Sequence, residues 1–124
     1  MLGAGGLRSE RGSRAESAVV EHLEKAGFAI VARNLRLGHL ELDIVARRSE
    51  LIVVVEVRTR GDGAWTTGFG SLTRLKRQRI RRAGQRLWRQ RYKNDPSAER
   101  LRFDAASVRF AGDQADVDYV VAAF

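Results

Sequence analysis

The chain has 124 residues, room for one domain and one core, and its 44% hydrophobic and 31% charged content describes an ordinary folded protein rather than a disordered one. It has no cysteine, which excludes disulfides and thiolate metal sites and fits a cytoplasmic location; no apolar run approaches the ~20 residues that span a bilayer. Lys and Arg number 23 against 15 acids, a net +8 with a pI near 11.1, which favours a polyanionic partner, nucleic acid first.

In chain order, residues 1–12 read as a loose Gly/Arg leader, and a single domain is expected over 13–124. Arg14–Ala26 is predicted as a helix: Ala15, Val19, Leu23 and Ala26 recur at helical spacing, Ser13 suits the cap, and Gly27 suits the stop. Phe28–Arg33 reads as a first strand. Leu40–Ala46 alternates, which puts Leu40, Leu42 and Ile44 on one face and Glu41, Asp43 and Val45 on the other. Leu51–Val57 is β-branched and almost wholly apolar, the pattern of a strand buried on both faces.

Glycines at 61, 63, 68 and 70 make Thr59–Gly70 a loop, with Trp65 and Phe69 inside it. A basic helix follows, with Leu72, Leu75, Ile80, Ala83 and Leu87 as an imperfect apolar stripe. Asn94-Asp95-Pro96 ends it, because the residue before a proline disfavours helix. Leu101–Phe110 and Val117–Ala122 are the last strands, joined around a Gly112-Asp113 turn. The fold class is therefore α/β, in the order α-β-β-β-α-β-β.

Positive charge is concentrated rather than spread. Leu72 to Lys93 holds ten Lys and Arg and no acid. A solvated helix face usually mixes both signs, so a one-sign block favours a phosphate-facing helix. Lys76, Arg77, Arg79 and Arg74 are its candidate contacts, with Arg60 just before it.

The acids are the second signal. Glu56 ends the apolar run Leu51–Val55, where an unpaired carboxylate is costly to desolvate and needs a cation or a metal. Twelve residues lie between Asp43 and Glu56, a separation that a hairpin brings side by side. Two carboxylates converging beside a basic helix form a hard-oxygen site suited to Mg²⁺, which keeps waters and phosphates as its other ligands. The competing reading is structural: Glu56 pairs with Arg58 or Arg60 at a strand end and Asp43 faces solvent. Glu16 stands beside the apolar stripe of the first helix, where an acid commonly just complements the helix dipole.

Several segments together carry a resemblance: Gly12 to Glu16 with the following helix, Arg33-Asn34, Glu41-Leu42-Asp43-Ile44-Val45-Ala46, and Val55-Glu56-Val57-Arg58-Thr59-Arg60. They are joined by the stretch around Lys76 to Ile80, Arg102-Phe103-Asp104, and the terminal Ala123-Phe124. In order and spacing they resemble the bacterial YraN-like family, which has a restriction-endonuclease-like fold similar to that of Holliday-junction resolvases. The resemblance implies a central mixed sheet flanked by helices. It also implies a nuclease-type core with Asp43, Glu56 and Glu16 at metal-ligand positions, Glu41 as an accessory acid, and Mg²⁺ or Mn²⁺ as cofactor. Asp43, Glu56, Arg58 and Glu16 are then the candidate catalytic residues, and DNA of unusual structure is the expected partner. Fold analogy alone allows a homodimer.

Two residues depart from the family pattern. Leu40 stands where a glycine usually precedes the first acid, and Arg58 stands where lysine usually follows the second. Lysine can move a proton or position water, whereas arginine stays charged and offers a planar fork. Two outcomes remain open at this point: a metal-dependent endonuclease, or a catalytically inactive DNA-binding or protein-interaction module on a nuclease fold.

The remaining signals are weaker. Trp65 and Phe69 read first as anchors that pin the loop to the body, with base stacking as the alternative. His39 adjoins the acidic strand, His22 reads as packing or surface, and Asp104 suits an ion pair with Arg102 or a backbone amide.

Overall fold

A computed structural model describes residues 10–60 and 73–124. Helix α1 (Glu10–Lys25) is followed by strands β1 (Ala29–Leu37), β2 (Leu40–Arg48) and β3 (Leu51–Thr59). Then come helix α2 (Arg74–Leu87), a π-helical turn (Trp88–Tyr92), and strands β4 (Arg100–Ala111) and β5 (Gln114–Val120). The order and the mixed sheet agree with the sequence reading; Trp65 and Phe69 lie outside the described residues.

The five strands form one sheet in chain order. β1, β2 and β3 are an antiparallel meander, β4 runs parallel to β3, and β5 returns antiparallel. A parallel neighbour needs a crossover, and the segment containing α2 supplies it. β3 is central, so both its faces are covered, and Leu51 to Val55 are all buried. The two faces differ. Ala15, Val19 and Leu23 of α1 pack on Ile44, Ala46, Val53, Val55 and Val108. Ile80, Ala83 and Leu87 of α2 pack on Val45, Ile52 and Val54 across the sheet.

Local chemistry sets the ends of the helices. α1 stops at Gly27, whose φ of +91° suits a residue without a Cβ, and the Phe28 amide closes the turn by donating to the Leu23 carbonyl at 3.0 Å. Its start is at Glu10, before the predicted Arg14, so Ser13 lies within the helix rather than capping it. α2 opens at Thr73, whose hydroxyl accepts the Lys76 amide at 3.1 Å. Its buried stripe is Ile80, Ala83, Gly84 and Leu87, while Leu75 is exposed and Leu72 lies outside the described residues. The backbone tightens against β4 at Gly84, where a Cβ would fall 2.5 Å from the Phe103 ring. No helix of the described residues is long and apolar enough to cross a membrane.

One expectation needs correction. Strict alternation along β2 would place Leu42 and Ile44 on one face. Instead Leu42 joins the cluster beneath α2 and Ile44 the cluster beneath α1. The same phase change occurs in β1, where Ala32 and Leu35 both pack on the α2 side. Between them Asn34 takes φ +52°, a left-handed conformation that asparagine tolerates better than most residues. The β1–β2 hairpin is therefore kinked at Asn34 and, across from it, at Asp43. That kink positions the site.

Candidate metal and nucleic-acid site

The β2–β3 ladder ends at the pair Ile44 and Val55. Beyond it the kinked hairpin diverges from β3, and the Val57 amide donates to Asp43 Oδ2 at 2.8 Å instead of to a β2 carbonyl. Asp43 is thereby held edge-on at the point of divergence. Glu56, the next residue of β3 toward that point, is buried on the α2 face of the sheet with only 4% of its surface exposed.

The two carboxyl groups meet. Burial pushes the Glu56 carboxyl up to about 8, the charge and hydrogen bond of Asp43 push in the same direction, and Lys76 and Arg58 oppose them. Lys76 Nζ stands 3.6 Å from Glu56 Oε2 and Arg58 Nε stands 3.7 Å from the same oxygen. Both distances are those of ion pairs rather than hydrogen bonds. The buried Arg58 Nε has no hydrogen-bond partner among the described residues. A cavity of about 180 Å³ opens over the pair, lined by His39, Leu40, Glu41, Lys76, Arg79 and Ile80 as well as Asp43 and Glu56.

The donor set fits a hard dication. Two adjoining carboxyl groups, one retaining its proton far above the usual range, offer hard oxygen ligands to a dication that would displace that proton. Mg²⁺ takes one or two carboxylates and leaves its other positions to water and phosphate. Asp43 and Glu56 would hold it. Among the described residues no three His, Cys, Asp or Glu side chains are grouped closely enough to form a site by themselves.

Glu16 is placed elsewhere. It is buried in α1, the helix of the opposite face, where it accepts from Asn34 Nδ2 at 3.2 Å and pairs with Arg33 at 3.7 Å. Asn34, the residue that kinks the hairpin opposite Asp43, links Glu16 to the site. Glu41 and His39 are exposed at the cavity rim.

The predicted phosphate contacts separate into three groups. Arg74 and Arg77 are exposed on the first turn of α2. Lys76 and Arg79 line the cavity itself, so Lys76 enters the site rather than flanking it. Arg60 turns toward β4 and β5, meeting Asp118 at 3.1 Å and Ser107 at 3.1 Å in a separate cleft.

Residue patterns gave no sign of a structural role for Asn34 or of the direct contact between Lys76 and Glu56. The first depends on a backbone kink without a local composition signal. For the second, the helical spacing placed Lys76 on a basic face but did not show how that face is oriented over β3. Asp104 resolves as the expected structural pair: it is fully buried, accepts two hydrogen bonds from Arg102 at 2.9 Å each, one from the Tyr119 hydroxyl at 2.5 Å and one from the Ala122 amide at 2.9 Å.

Residues 15–108 match the profile of the uncharacterised protein family UPF0102. A UPF0102 protein of Sorangium cellulosum is 49% identical over 122 residues, covering 98% of this chain and 85% of the relative. One from Myxococcus xanthus is 35% identical, covering 94% and 90%, and one from Verminephrobacter eiseniae is 39% identical, covering 94% and 78%. The chain belongs to the UPF0102, or YraN-like, family.

Proposed function

We propose that this protein binds nucleic acid, DNA of unusual structure first, and hydrolyses a phosphodiester bond with Mg²⁺ or Mn²⁺ held by Asp43 and Glu56. The observation that carries the reading is the adjoining pair of carboxyls in a cavity bordered by the first turns of a helix rich in arginine. Two carboxyl groups set against each other beneath a basic surface are costly to the fold, which supports a role in binding a cation.

The residues divide the work by position. Arg74, Arg77 and the exposed arginines farther along α2 attract and align the polyanion, since phosphate neutralisation supplies sequence-independent affinity. Asp43 is fixed by the Val57 amide and Glu56 by burial in β3, which holds their geometry before any ligand arrives. Arg58, ion-paired to Glu56 through its buried Nε and with its side chain 28% exposed, offers the outer edge of its guanidinium to a phosphate oxygen. A bound Mg²⁺ would supply charge stabilisation at the phosphoryl oxygens and acidify a water.

The test is a nicking assay on branched and linear DNA with Mg²⁺ or Mn²⁺, comparing the native chain with Asp43→Ala. Metal-dependent cleavage that disappears in the variant supports the reading, and no cleavage under any of these conditions contradicts it. A second reading is favoured by Arg58 standing in the lysine position of the family pattern. In it the protein is a non-catalytic DNA-binding or protein-interaction module whose acids pair with Arg58 and Lys76. DNA binding without cleavage, unchanged by Mn²⁺, would select it. Cleavage appearing only in Arg58→Lys would mark Arg58 as an inactivating change.

A further inference from the structure

The reading above leaves a chemical gap: Arg58 follows Glu56 on the strand, where the family pattern has lysine. The structure brings a lysine to the same carboxylate from another element. Lys76 Nζ and Arg58 Nε lie 3.6 and 3.7 Å from one and the same oxygen, Glu56 Oε2. They approach it differently. Lys76 lines the cavity over Asp43 and Glu56, and Arg58 is not among the residues that line it. The three lysines of the chain are Lys25, Lys76 and Lys93, and Lys76 alone of them lines this cavity.

The position of Lys76 is built rather than incidental. Its amide is held by the Thr73 hydroxyl at 3.1 Å, which caps α2 and fixes the first turn. One turn on, Ile80 is buried against the sheet and also lines the cavity, so the helix is seated directly beside the site. The Lys76 side chain is 44% exposed, leaving its ammonium open to a ligand entering from solvent.

We infer that Lys76, reaching the site from α2, is the catalytic lysine of this protein, and that Arg58 serves as a rim cation for the DNA backbone. The inference rests on the phosphodiesterase reading. In the step, a water oxygen bonds to phosphorus while the bond from phosphorus to the leaving oxygen breaks. The water gives a proton to solvent and the leaving oxygen takes one from solvent, so the sum is one water added across one P–O bond. Lys76 contacts a non-bridging oxygen of the scissile phosphate and compensates the negative charge that builds there. An ammonium is a compact point charge, suited to a cavity of about 180 Å³, while a planar guanidinium is suited to a flat bidentate contact outside it.

The absence of native cysteine permits a direct test. Lys76→Cys introduces a single thiol; 2-bromoethylamine converts it to an aminoethyl side chain of nearly lysine length, and iodoacetamide converts it to a neutral one. Cleavage of branched DNA should fall ~10²–10³-fold in Lys76→Cys, the loss usual for one donor to a developing oxyanion. Aminoethylation should restore it and carbamidomethylation should not. Lys76→Gln should match the unmodified thiol. Arg58→Met should lose less than about tenfold, as one backbone cation. Calorimetric titration should still show Mn²⁺ binding, and thermal melting a cooperative transition, in both Lys76→Cys and Lys76→Gln, which separates a lost contact to phosphate from a lost site or a lost fold. Native cleavage that persists in both Lys76 variants overturns the inference alone. So does a Lys76→Cys loss that aminoethylation leaves in place, or cleavage that depends on Arg58 and not on Lys76. A native chain that cuts nothing overturns the phosphodiesterase reading itself, and this inference falls with it.

Discussion

Two carboxylates are buried on adjacent strands of this sheet, one residue apart in register, and they are treated in opposite ways. Asp104 on β4 receives two bonds from Arg102, one from Tyr119 and one from the Ala122 amide. Glu56 on β3 pairs in register with Ala105 and faces another carboxyl, with its cations at 3.6 and 3.7 Å. Asp104 is satisfied wholly from within the chain. It joins β4, β5 and the C-terminal turn on the α1 side of the sheet; burial first, and then the hydrogen bond and charge of Asp104, raise Tyr119 far above the ordinary phenol range. Glu56 is held in place with its cations beyond hydrogen-bond distance. The contrast shows how burial alone misleads: both residues are almost wholly buried, but one has its acceptors filled by the chain and the other lines a cavity beside a second carboxyl.

The largest expected effect is on the structural side. Asp104→Ala removes the acceptor of four bonds and leaves Arg102 and Tyr119 facing a void. It should cost ~3–5 kcal/mol in urea denaturation, the range for breaking a buried pair by deleting one partner. A loss below ~1 kcal/mol would mean that the Arg102 network contributes specificity rather than stability. Gly84→Ala should follow at ~1–3 kcal/mol, because its methyl would press on the Phe103 ring and overpack the α2–β4 contact.

Glu56 should respond to pH in the direction opposite to an ordinary paired carboxylate. Its folded-state value of about 8 lies above the unfolded value of 4.5, so between them the native state binds more protons than the unfolded state. Stability from this group is therefore fully present below about 4.5 and declines as pH rises to about 8. In metal-free buffer, Glu56→Gln should flatten that decline and be at least as stable as the native chain at pH 8. A native chain whose stability rises through this window, with Glu56→Gln the less stable, would contradict the assignment of Glu56 as the carboxyl that retains its proton.

The smallest effect concerns the helix surface. Replacing exposed Arg77 by Gln should weaken DNA binding across sequences alike and reduce the slope of log K against log salt by ~0.9, one phosphate contact. Arg60→Gln should change that slope less, since Arg60 is engaged with Asp118 and Ser107.

Much of this arrangement was legible in the sequence because it depends on local pattern. The apolar run Leu51–Val55 specified a central strand, and a charged residue ending it marked Glu56. The hairpin spacing placed Asp43 beside it. What the sequence did not show depends on backbone irregularity and on orientation between elements. The left-handed Asn34 shifts the phase of β1 and β2, which moves Leu42 to the other face and turns Asp43 edge-on. Glu16, expected among the ligands, instead reaches Asn34 and Arg33 from the opposite face, because its helix covers Ile44 and Val55 rather than Glu56. Strand β5 begins earlier than its apolar residues suggest and ends at Val120, since Ala122 turns at φ +52° to donate its amide to Asp104. The π-helical turn Trp88–Tyr92 had no pattern to announce it.

Calorimetric titration with Mn²⁺ bears most directly on the contrast between the two buried acids. The native chain should bind the ion, Asp43→Ala should lose that binding, and Arg102→Met, which disturbs the filled Asp104 network instead, should keep it. Equal titrations for the native chain and Asp43→Ala, or no binding by the native chain at all, would contradict the claim that Asp43 and Glu56 form a cation site.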